Sequence, residues 1–572
     1  MSWEGDLIYL YNQNASKIGI IEYKQFQKNG KEEKIPYVLL PLFHTTVTAQ
    51  IQVTLSSDGK FLRASKVAAS DKFTIIPVTE KSGSRTAGKA PHPLCDNLKY
   101  LAGDYSTYIY DKKEEAEICH KMYMSELKKW HCSEYTHEKV DAIYLYLKKG
   151  TLIHDLAKEN VLQLDENGYL SKNVKIETIA QTDAFVRFVI RGGNGSDFET
   201  SVDECWKDRT LQNRFIEYYQ TIEGEKVLDY LTGEMHTASY LHSKKIRNEG
   251  DGAKLISSND ESNFTFRGRF SQKEQAFAIG SVTSQKMHNA LKWIIRKQGK
   301  SFESLTIVAW ESDMQDMPFW AADTETIYSE AKNENSVKAE ILDDDFKDDY
   351  MEDWDDEQET IYDGNYVTAK QFYNALEGYG KNIENTSRMI LMAFDAATTG
   401  RLSLVEYKTL DAARYLKNIQ QWHTTCGWIH YKYKDKKIVC YYGVPGVRDI
   451  ADILYGSDSK GRLVINDKNG KKMYAQLAHR ILPCIWEARN IPYDLIMTAV
   501  TKASMPQLYK KRANWERVLT LACSFVKRNL YERNSKEEWD VALKEDYTER
   551  DYLYGRLLAV ADRIEYRTYD KE

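Results

Sequence analysis

The sequence contains no long apolar run. Although 42% of its 572 residues are hydrophobic, no segment approaches the roughly 20 consecutive apolar residues of a membrane-spanning helix. The first six residues include neither the basic nor the apolar stretch of a secretory signal. We therefore expect a cytoplasmic protein that neither spans a membrane nor is exported. Its length corresponds to about three or four domains.

The chain also lacks the cysteine spacing of a disulfide framework or a zinc site. Its eight cysteines include no Cys-x-x-Cys pair, so we expect reduced thiols. Cys and His do lie close in sequence at Cys119-His120, His131-Cys132, His137 and His423-x-x-Cys426. None of these has a recognised zinc-ligand spacing, so no metal is expected.

Nucleotide hydrolysis is excluded by a broken phosphate-binding loop. Gly83 to Lys89 fits the G-x-x-x-x-G-K frame, but a working loop then needs a Ser or Thr hydroxyl and a helix N-terminus. Ala90 supplies no hydroxyl, and Pro91 and Pro93 oppose a helix. The loop still carries Arg85 and Lys89. Backbone N–H groups and two cations suit an anion that is held by shape, such as a nucleic-acid backbone.

No set of catalytic residues is evident. There is no G-x-S-x-G motif, and an EF-hand counted from Asp343 places Trp354 where a Glu ligand is required. Glu22-Tyr23-Lys24 and Glu406-Tyr407-Lys408 resemble the Glu-x-Lys of metal-dependent nucleases. Neither has an upstream Asp partner. We expect no catalytic residue and no cofactor, and a metal-dependent nuclease stays as the alternative enzyme hypothesis.

The negative charge is concentrated in one segment. Residues 340–359 contain twelve acids and one Lys, so this window contributes −11 to the formal net charge of −6 and the rest carries +5. Basic surfaces elsewhere are therefore compatible with the overall charge. The 39 tyrosines also provide many faces on which bases could stack.

Hydrophobic periodicity predicts a change of structural class along the chain. Alternation over 47–55 predicts a strand, and Asp58-Gly59 predicts a turn after it. Further strands are predicted over 61–67, 73–78 and 184–191, and helices over 114–130 and 137–156. These elements indicate an α+β N-terminal region with antiparallel β segments over 1–332.

The remainder of the chain divides into two parts. Residues 333–363 show no periodicity and are expected to form an acidic linker or loop. An all-α helical bundle is expected over 364–572. It rests on helical patterns over 473–487, 493–503, 515–529 and a stripe at Leu553, Leu557, Val560, Ala561 and Ile564.

Residues 242–297 form the densest basic and aromatic region. A helix is predicted after Thr283, with Met287, Ala290, Leu291, Ile294 and Ile295 on one face. The opposite face carries Lys286, Asn289, Lys292, Arg296 and Lys297. A row of cations interrupted by an amide suits contact with phosphates, and Gln285 and Asn289 could read a base edge. The same region also contains other basic and polar residues before the helix, namely Lys244, Lys245, Arg247, Asn259, Arg267 and Arg269.

Several blocks together resemble a known family. Six blocks resemble the large subunit of the type I-C CRISPR Cascade surveillance complex. They are residues 39–64, 77–104, 252–295, 398–407, 422–428 and 552–565. The resemblance implies a non-catalytic subunit of an RNA-guided complex. It implies that the N-terminal region lies near the guide-RNA handle, reads a protospacer-adjacent motif (PAM) on duplex DNA and helps to open the duplex. The blocks at 398–407, 422–428 and 552–565 are expected in the helical half, which would line the path of the displaced strand.

The resemblance also implies the partners and the site. The partners are the CRISPR RNA, target duplex DNA and its displaced strand, the backbone, handle-binding endoribonuclease and small subunits, and a helicase-nuclease recruited transiently. A small subunit could be translated from the C-terminal part, with Met473 a candidate start. A protein-only scaffold stays as the second alternative. The predicted duplex-facing residues are Ser82, Ser84, Arg85, Thr86, Lys89, Asn259, Arg267, Arg269, Gln285, Lys286 and Asn289. The predicted phosphate contacts are Lys244, Lys245, Arg247, Lys292, Arg296 and Lys297.

Overall fold

The computed structural model describes most of the chain. The described residues are 2–28, 31–83, 85, 89–171, 173–192, 202–222, 224–256, 278–332, 369–380, 383–384, 386–398, 400–434, 437–459, 462–466, 471–534, 539 and 543–569. The predicted acidic linker lies outside them. The described residues form two compact units. One lies within Met1–Met317 and Asn382–Ala412, and the other within Pro318–Glu334, Lys347–Lys381 and Ala413–Glu572.

The first unit combines helices with short strands. Its helices are α1 (Trp3–Gln13), α2 (Glu80–Gly83), α3 (Leu98–Leu101), α4 (Lys113–His131), α5 (Glu138–Leu147), α6 (Leu152–Lys158), α7 (Arg209–Thr221) and α8 (Ser281–Gln298). Its first strands are β1 (Ile21–Lys28), β2 (Lys31–Val38), β3 (His44–Thr48), β4 (Ile51–Ser56), β5 (Phe61–Lys66), β6 (Phe73–Pro77), β7 (Lys175–Ile176), β8 (Ile179–Ala180) and β9 (Val186–Arg191). The remaining strands are β10 (Lys226–Leu228), β11 (Met235–Thr237), β12 (Lys300–Phe302), β13 (Leu305–Glu311), β14 (Arg388–Thr398) and β15 (Arg401–Asp411).

Most strands of this unit pair antiparallel, as predicted for the N-terminal region. The pairs β1–β2, β3–β6, β7–β8 and β10–β11 are two-stranded, and β12 to β15 form a four-stranded sheet in sequence order. In the sheet β5–β4–β9, β4 pairs antiparallel with β5. It pairs parallel with β9.

The predicted strand over 47–55 is interrupted. The chain leaves the β3–β6 pair after Thr48 and enters the sheet of β4 at Ile51. Gln50 fixes the crossing point, because its side chain donates to Thr48 O at 2.9 Å and accepts the Phe185 N–H at 2.8 Å. Alternation of residue types cannot reveal a change of sheet, since both strands keep one face buried.

Two glycines explain the local connections. Gly59 lies in the predicted turn between β4 and β5 with φ +73°, and an added Cβ would approach Ala142 O to 2.8 Å. Gly150, with φ +67°, separates α5 from α6. The single helix predicted over 137–156 is therefore two helices, because the left-handed region ends a helix and favours glycine.

Two large hydrophobic clusters, beside smaller ones, lie in the described part of the first unit. One packs β4 and β9 against α4 and α5 and includes Val53, Phe188, Trp130 and Tyr146. The other packs α1 and α8 against β13 and β14 and includes Leu7, Trp293, Val308 and Met392. Helix α8 therefore runs through a core rather than over a surface, and this determines which of its polar groups can reach a ligand.

In its described residues, the second unit contains helices and two hairpins. Its helices are α9 (Thr324–Lys332), α10 (Ala369–Gly380), α11 (Ala412–Thr425), α12 (Val447–Tyr455), α13 (Lys472–Trp486), α14 (Tyr493–Ala503), α15 (Arg512–Arg533) and α16 (Arg550–Tyr569). Its strands are β16 (Trp428–Lys434), β17 (Lys437–Gly443), β18 (Ser457–Ser459) and β19 (Arg462–Val464).

The prediction of an all-helical C-terminal region is therefore only partly confirmed. Helices dominate it, but β16–β17 and β18–β19 form antiparallel hairpins. Residues 398–407, placed in the helical half from sequence, belong to the β14–β15 hairpin of the first unit. Tyr431 and Tyr433 alternate with Lys432 and Lys434, and this period of two is typical of a strand.

The apolar stripe of α16 is exposed rather than buried. Leu557, Val560 and Ile564 expose 65%, 57% and 62% of their surface. The helix itself was predicted correctly, but its apolar face does not pack into a bundle core. In the part of the chain that the structure describes, no helix has the length and apolar character needed to cross a membrane.

Candidate nucleic-acid interface

One carboxylate joins two basic segments that are distant in sequence. Glu80, the first residue of α2, accepts the N–H groups of Tyr240 at 2.8 Å and Leu241 at 2.5 Å. Tyr240 and Glu80 are separated by 160 positions. The contact places the loop 79–90 beside the segment 239–256. We call these two segments, together with residues 281–297 of α8, the basic surface.

Ser82 caps the short helix at the start of this loop. Its N–H donates to Thr79 Oγ1 at 3.1 Å, and its Oγ accepts the Thr79 N–H at 3.0 Å. This reciprocal arrangement is that of a capping box. Ser82 is only 2% exposed, so it shapes the loop rather than presenting a hydroxyl at its surface.

Arg85 is held by an internal carboxylate. Its guanidinium makes two hydrogen bonds to Asp96, at 2.9 and 2.8 Å, and a third to Ala90 O at 2.8 Å. It also lies over the ring of Tyr100, with 4.7 Å between Cζ and the ring centroid. Arg85 therefore closes the loop on itself, and no local pattern of residues points to Asp96 as its partner.

Of the loop's two predicted cations, Lys89 is the more accessible. Its side chain is exposed, and it makes no hydrogen bond or ion pair with the rest of the described chain. Ser84 and Thr86 lie outside the described residues, as do Asn259, Arg267 and Arg269. Residues 256 and 278, which flank the last three, are described, and Ala278 O accepts the Tyr230 N–H at 3.3 Å.

The segment after His242 folds into a charged turn. Arg247 pairs with the buried Asp251 through Nε at 2.8 Å and Nη2 at 3.1 Å. Lys245 adopts a left-handed conformation with φ +59° and approaches Glu249 at 3.5 Å. Lys244 and Lys245 are half-buried, whereas Arg247 exposes only 17% of its side chain. The turn therefore presents its two lysines more openly than its arginine.

The predicted row of exposed groups on α8 is not present. The helix is confirmed, but Asn289 is buried and donates to Leu40 O at 3.2 Å and Pro41 O at 3.3 Å. Lys292 is 8% exposed, and Arg296 exposes 14% of its side chain. The opposite face of the helix is covered by β2 and the 239–256 segment. Gln285, Lys286 and Lys297 are only half-buried, so three of the six predicted groups reach the surface.

The structure adds two cations that the sequence analysis missed. Lys254 pairs with Arg401 in a parallel bridge, and its N–H donates to Gly400 O at 3.2 Å. The turn of the β14–β15 hairpin therefore lies beside the 239–256 segment, and Arg401 is exposed there. No local pattern could have shown this, because Arg401 was assigned to the helical half.

Burial and neighbouring cations shift the pKa of several groups here. Burial, with an opposing effect from Asp96, lowers the pKa of His92 to about 4, so its ring is neutral at pH 7. Burial and Lys244 lower the pKa of Lys254. Burial and Arg296 lower the pKa of Lys292 to about 7, with Glu249 opposing. Lys254 and Lys292 therefore lose their protons more readily than exposed lysines do.

The residues of the alternative nuclease hypothesis have structural partners. Glu22 Oε2 accepts the indole N–H of Trp293 at 2.8 Å, and Glu406 pairs with Lys408 at 2.6 Å. No cluster of three or more His, Cys, Asp or Glu side chains that could hold a metal occurs among the described residues.

The histidines of the candidate zinc-ligand pairs likewise have structural partners. His120 Nδ1 bonds Tyr100 O at 3.0 Å, His131 pairs with Asp141 at 2.6 Å, His137 Nε2 bonds Thr210 Oγ1 at 3.1 Å and His423 Nδ1 bonds Thr324 Oγ1 at 2.8 Å. All eight cysteines, each of them described, are free thiols.

An α+β unit that gathers cations on one face, in a chain that also contains a largely helical unit, is typical of proteins that contact nucleic acid. Comparison with protein families identifies the family of this chain. The family described as CRISPR-associated protein (Cas_Csd1) matches residues 21–572, and the chain belongs to this family. The chain is thus a CRISPR-associated protein of the type I-C Cascade large-subunit family, as the sequence blocks predicted. No curated protein matches the chain significantly.

Proposed function

We propose that this chain is the non-catalytic large subunit of a type I-C CRISPR surveillance complex, and that its basic surface reads the PAM on duplex DNA. Membership of the Cas_Csd1 family supports the complex. The observation that carries the duplex-binding role is the Glu80 contact. It joins the loop 79–90 to the segment 239–256, two segments predicted independently from sequence to bind DNA.

The arrangement suits a short motif reader. In RNA-guided complexes, base pairing with the guide reads the target sequence, so the protein needs only to recognise a few base pairs and to hold phosphates. Five lysines supply cations for phosphate contact, namely Lys89, Lys244, Lys245, Lys286 and Lys297. Gln285 supplies an amide that can pair with a base edge. Asn259, Arg267 and Arg269, predicted from sequence to face the duplex, lie outside the described residues, between positions 256 and 278.

The remaining roles follow from the same complex. The first unit contacts the guide-RNA handle, and duplex opening at the PAM starts the R-loop. The second unit lies along the displaced strand, and the loaded complex recruits the helicase-nuclease. The subunit itself breaks no covalent bond. The partners of Glu22 and Glu406 support this part of the proposal, because each carboxylate is engaged by a neighbouring side chain.

Charge removal in the assembled complex tests the duplex-binding role. The double variant Lys89→Ala/Lys244→Ala should weaken binding of all duplexes about equally and lower the salt slope of log Kd by about 1 for each phosphate that is left without its lysine. Asn259→Ala should instead relax discrimination of the PAM. Lys129→Ala is the matched control, because Lys129 lies on the exposed face of α4 and pairs with Glu126 at 2.7 Å.

Two results would change the proposal. Unaltered affinity, salt slope and PAM preference in all these variants would leave a protein-only scaffold as the better function. Metal-dependent DNA cleavage by the purified chain, lost in Glu22→Ala, would establish the nuclease instead.

A further inference from the structure

A narrow cleft opens beside α8, within the first unit. Its polar wall carries Thr46, Lys245, Glu249, Lys292 and Arg296. Its apolar wall is formed by Val38, Leu40 and Phe73. Three elements that are distant in sequence, β3, the 245–249 turn and α8, thus direct hydrogen-bonding groups into one small space.

Lys292 brings a buried amino group with no hydrogen-bond partner into this cleft. Its side chain is about nine-tenths buried, with 8% of its surface exposed. Within the described part of the chain, its ammonium group makes no hydrogen bond and no ion pair. Burying an ammonium without a partner is strongly unfavourable. An amino group retained in such a place points to an anion that binds there.

Glu249 already stands in the position of such an anion. One carboxylate oxygen accepts from Thr46 Oγ1 at 3.2 Å and lies 3.5 Å from Lys245 Nζ. The other accepts from Arg296 Nη2 at 3.0 Å. Yet the Glu249 side chain is 49% exposed, and it extends from a turn. A solvated carboxylate of this kind is readily displaced, because exposed ion pairs contribute little free energy.

We infer that this cleft binds one phosphate group, and that Glu249 occupies the site until the phosphate displaces it. The phosphate oxygens would then accept from Arg296, Lys245, Lys292 and Thr46. Guanidinium and ammonium donors on one side of a pocket match the geometry of a phosphate. The inference rests on the proposed function for the source of the phosphate, a nucleic-acid backbone. A free phosphate ion has the same chemistry, and the experiment separates the two.

Displacement of Glu249 leaves three cations, Lys245, Lys292 and Arg296, and the hydroxyl of Thr46 to contact the phosphate. The charged groups that face Lys292 are Arg296 from α8, and Lys245 and Glu249 from the turn. Val38 and Leu40 from β2 and Phe73 from β6 carry no charge. Burial and Arg296 lower the pKa of Lys292 to about 7. A bound phosphate should raise that pKa, so Lys292 should take up a proton when the phosphate binds. Affinity should therefore decrease as the pH rises from 7 to 9.

The first arm of the test measures a labelled DNA duplex binding to the full-length chain. Glu249→Ala should bind the duplex about tenfold more tightly, because the internal competitor is removed, and Lys292→Met should bind it about tenfold more weakly. The double variant should not show the gain, because both changes act at one site. Glu126→Ala and Lys129→Met are the matched controls. Each removes one charge of the same sign from the surface of α4.

The second arm uses inorganic phosphate at constant ionic strength and follows the Tm of each variant. A ligand that binds only the folded chain raises Tm, and the increase grows with the ratio of the ligand concentration to its Kd. Glu249→Ala should show a larger phosphate-dependent increase than the wild type, and Lys292→Met a smaller one. If Glu249→Ala increases both the duplex affinity and the phosphate-dependent rise in Tm, the result supports a backbone phosphate as the ligand. If Glu249→Ala increases only the phosphate-dependent rise in Tm, the result supports the site with a free phosphate ion as its ligand.

The outcomes separate the cleft from the proposed function. Unchanged or weaker binding of both probes by Glu249→Ala overturns the phosphate site, whatever the duplex does elsewhere. A wild-type chain that binds no duplex, alone or in the assembled complex, but responds to phosphate through Lys292 overturns the duplex-binding role and leaves the site in place.

Discussion

Arg85 and Asp96 form a bidentate ion pair that closes the loop predicted to contact DNA. The two hydrogen bonds measure 2.9 and 2.8 Å, and Asp96 is fully buried. Asp96 also accepts the N–H groups of His92 at 2.7 Å and Asn97 at 2.8 Å. One buried carboxylate therefore joins Arg85, in the loop, to the chain that follows the loop, and Arg85 is its only ion-pair partner among the described residues.

Arg85→Ala should destabilise the first unit. It leaves the Asp96 charge buried with two backbone donors and no cation, which costs about 3 kcal/mol of unfolding free energy. Denaturant unfolding of the full-length chain measures this loss. Arg85→Lys should restore part of it, since one ammonium can replace the charge but not the paired geometry.

The opposite pattern would assign Arg85 to DNA directly. If Arg85→Ala left the unfolding free energy unchanged but weakened duplex binding, the ion pair would not hold the loop, and the guanidinium would be free to reach a phosphate or a base.

A second buried pair should be equally sensitive. Lys139 Nζ lies 2.5 Å from Asp208 Oδ2, and the two side chains are 0% and 3% exposed. Asp208 also caps α7 by accepting the N–H groups of Thr210 and Leu211. Lys139→Met should lower the unfolding free energy by about 3–5 kcal/mol, because Asp208 then has no cation.

The control for this prediction lies on the same unit. Lys129→Met removes an exposed lysine from α4, and its effect should stay within about 1 kcal/mol. Equal losses in the two variants would mean that burial of the Lys139–Asp208 pair does not determine its contribution.

Local signals in the sequence correctly placed several elements. The Asp58-Gly59 turn and the amphipathic pattern of α8 depend on neighbouring residues only, so they could be predicted. The site itself depends on distant partners. Asp96, Glu249 and the crossing from β3 to β4 carry no local pattern, because each acts through contacts made only in the folded chain.

The same limit explains the error on α8. An amphipathic pattern predicts one buried face, but this helix packs on two sides, against the core of α1 and β13 and beneath β2 and the 239–256 segment. Asn289 and Lys292 therefore lie inside although their residue types favour the surface.

Acid should destabilise the first unit through its buried histidines. Burial lowers the pKa of His44, His92 and His242 to about 4 and, together with His242, that of His288 to about 3. The unfolded chain binds protons below about pH 6.5, whereas these folded rings stay neutral, so their stabilising contribution is lost as the pH falls from 6.5 to 4. Each ring adds about 1.4 kcal/mol per pH unit to the slope.

Denaturant unfolding at pH 7, 6 and 5 measures this slope. His44→Asn keeps a donor for Leu42 O and should reduce the slope by about one proton. An unchanged slope in this variant would show that His44 is protonated in the folded state.

The second unit should depend on residues before Met473. Helix α15 packs on the β16 strand: Lys527 Nζ donates to Gly427 O at 2.8 Å, and Arg528 Nη1 donates to Thr425 Oγ1 at 2.5 Å. A fragment 473–572 loses these partners and leaves Arg528, now 1% exposed, without them. It should unfold at lower temperature and less cooperatively than a fragment 413–572.

Circular dichroism melting of the two fragments makes this comparison, and both lack the same residues from 318–380. Equal and cooperative melting would show that the segment from 473 folds independently of the β16–β17 hairpin.

The central claim is that the basic surface of the first unit lies against duplex DNA in the assembled complex. A photo-crosslinking amino acid placed at position 89 or 244, with position 129 as the control, tests it on a labelled duplex that carries the PAM. The account predicts crosslinks from 89 and 244 and none from 129. Crosslinks from none of the three positions, in a complex that still binds its target, would contradict it.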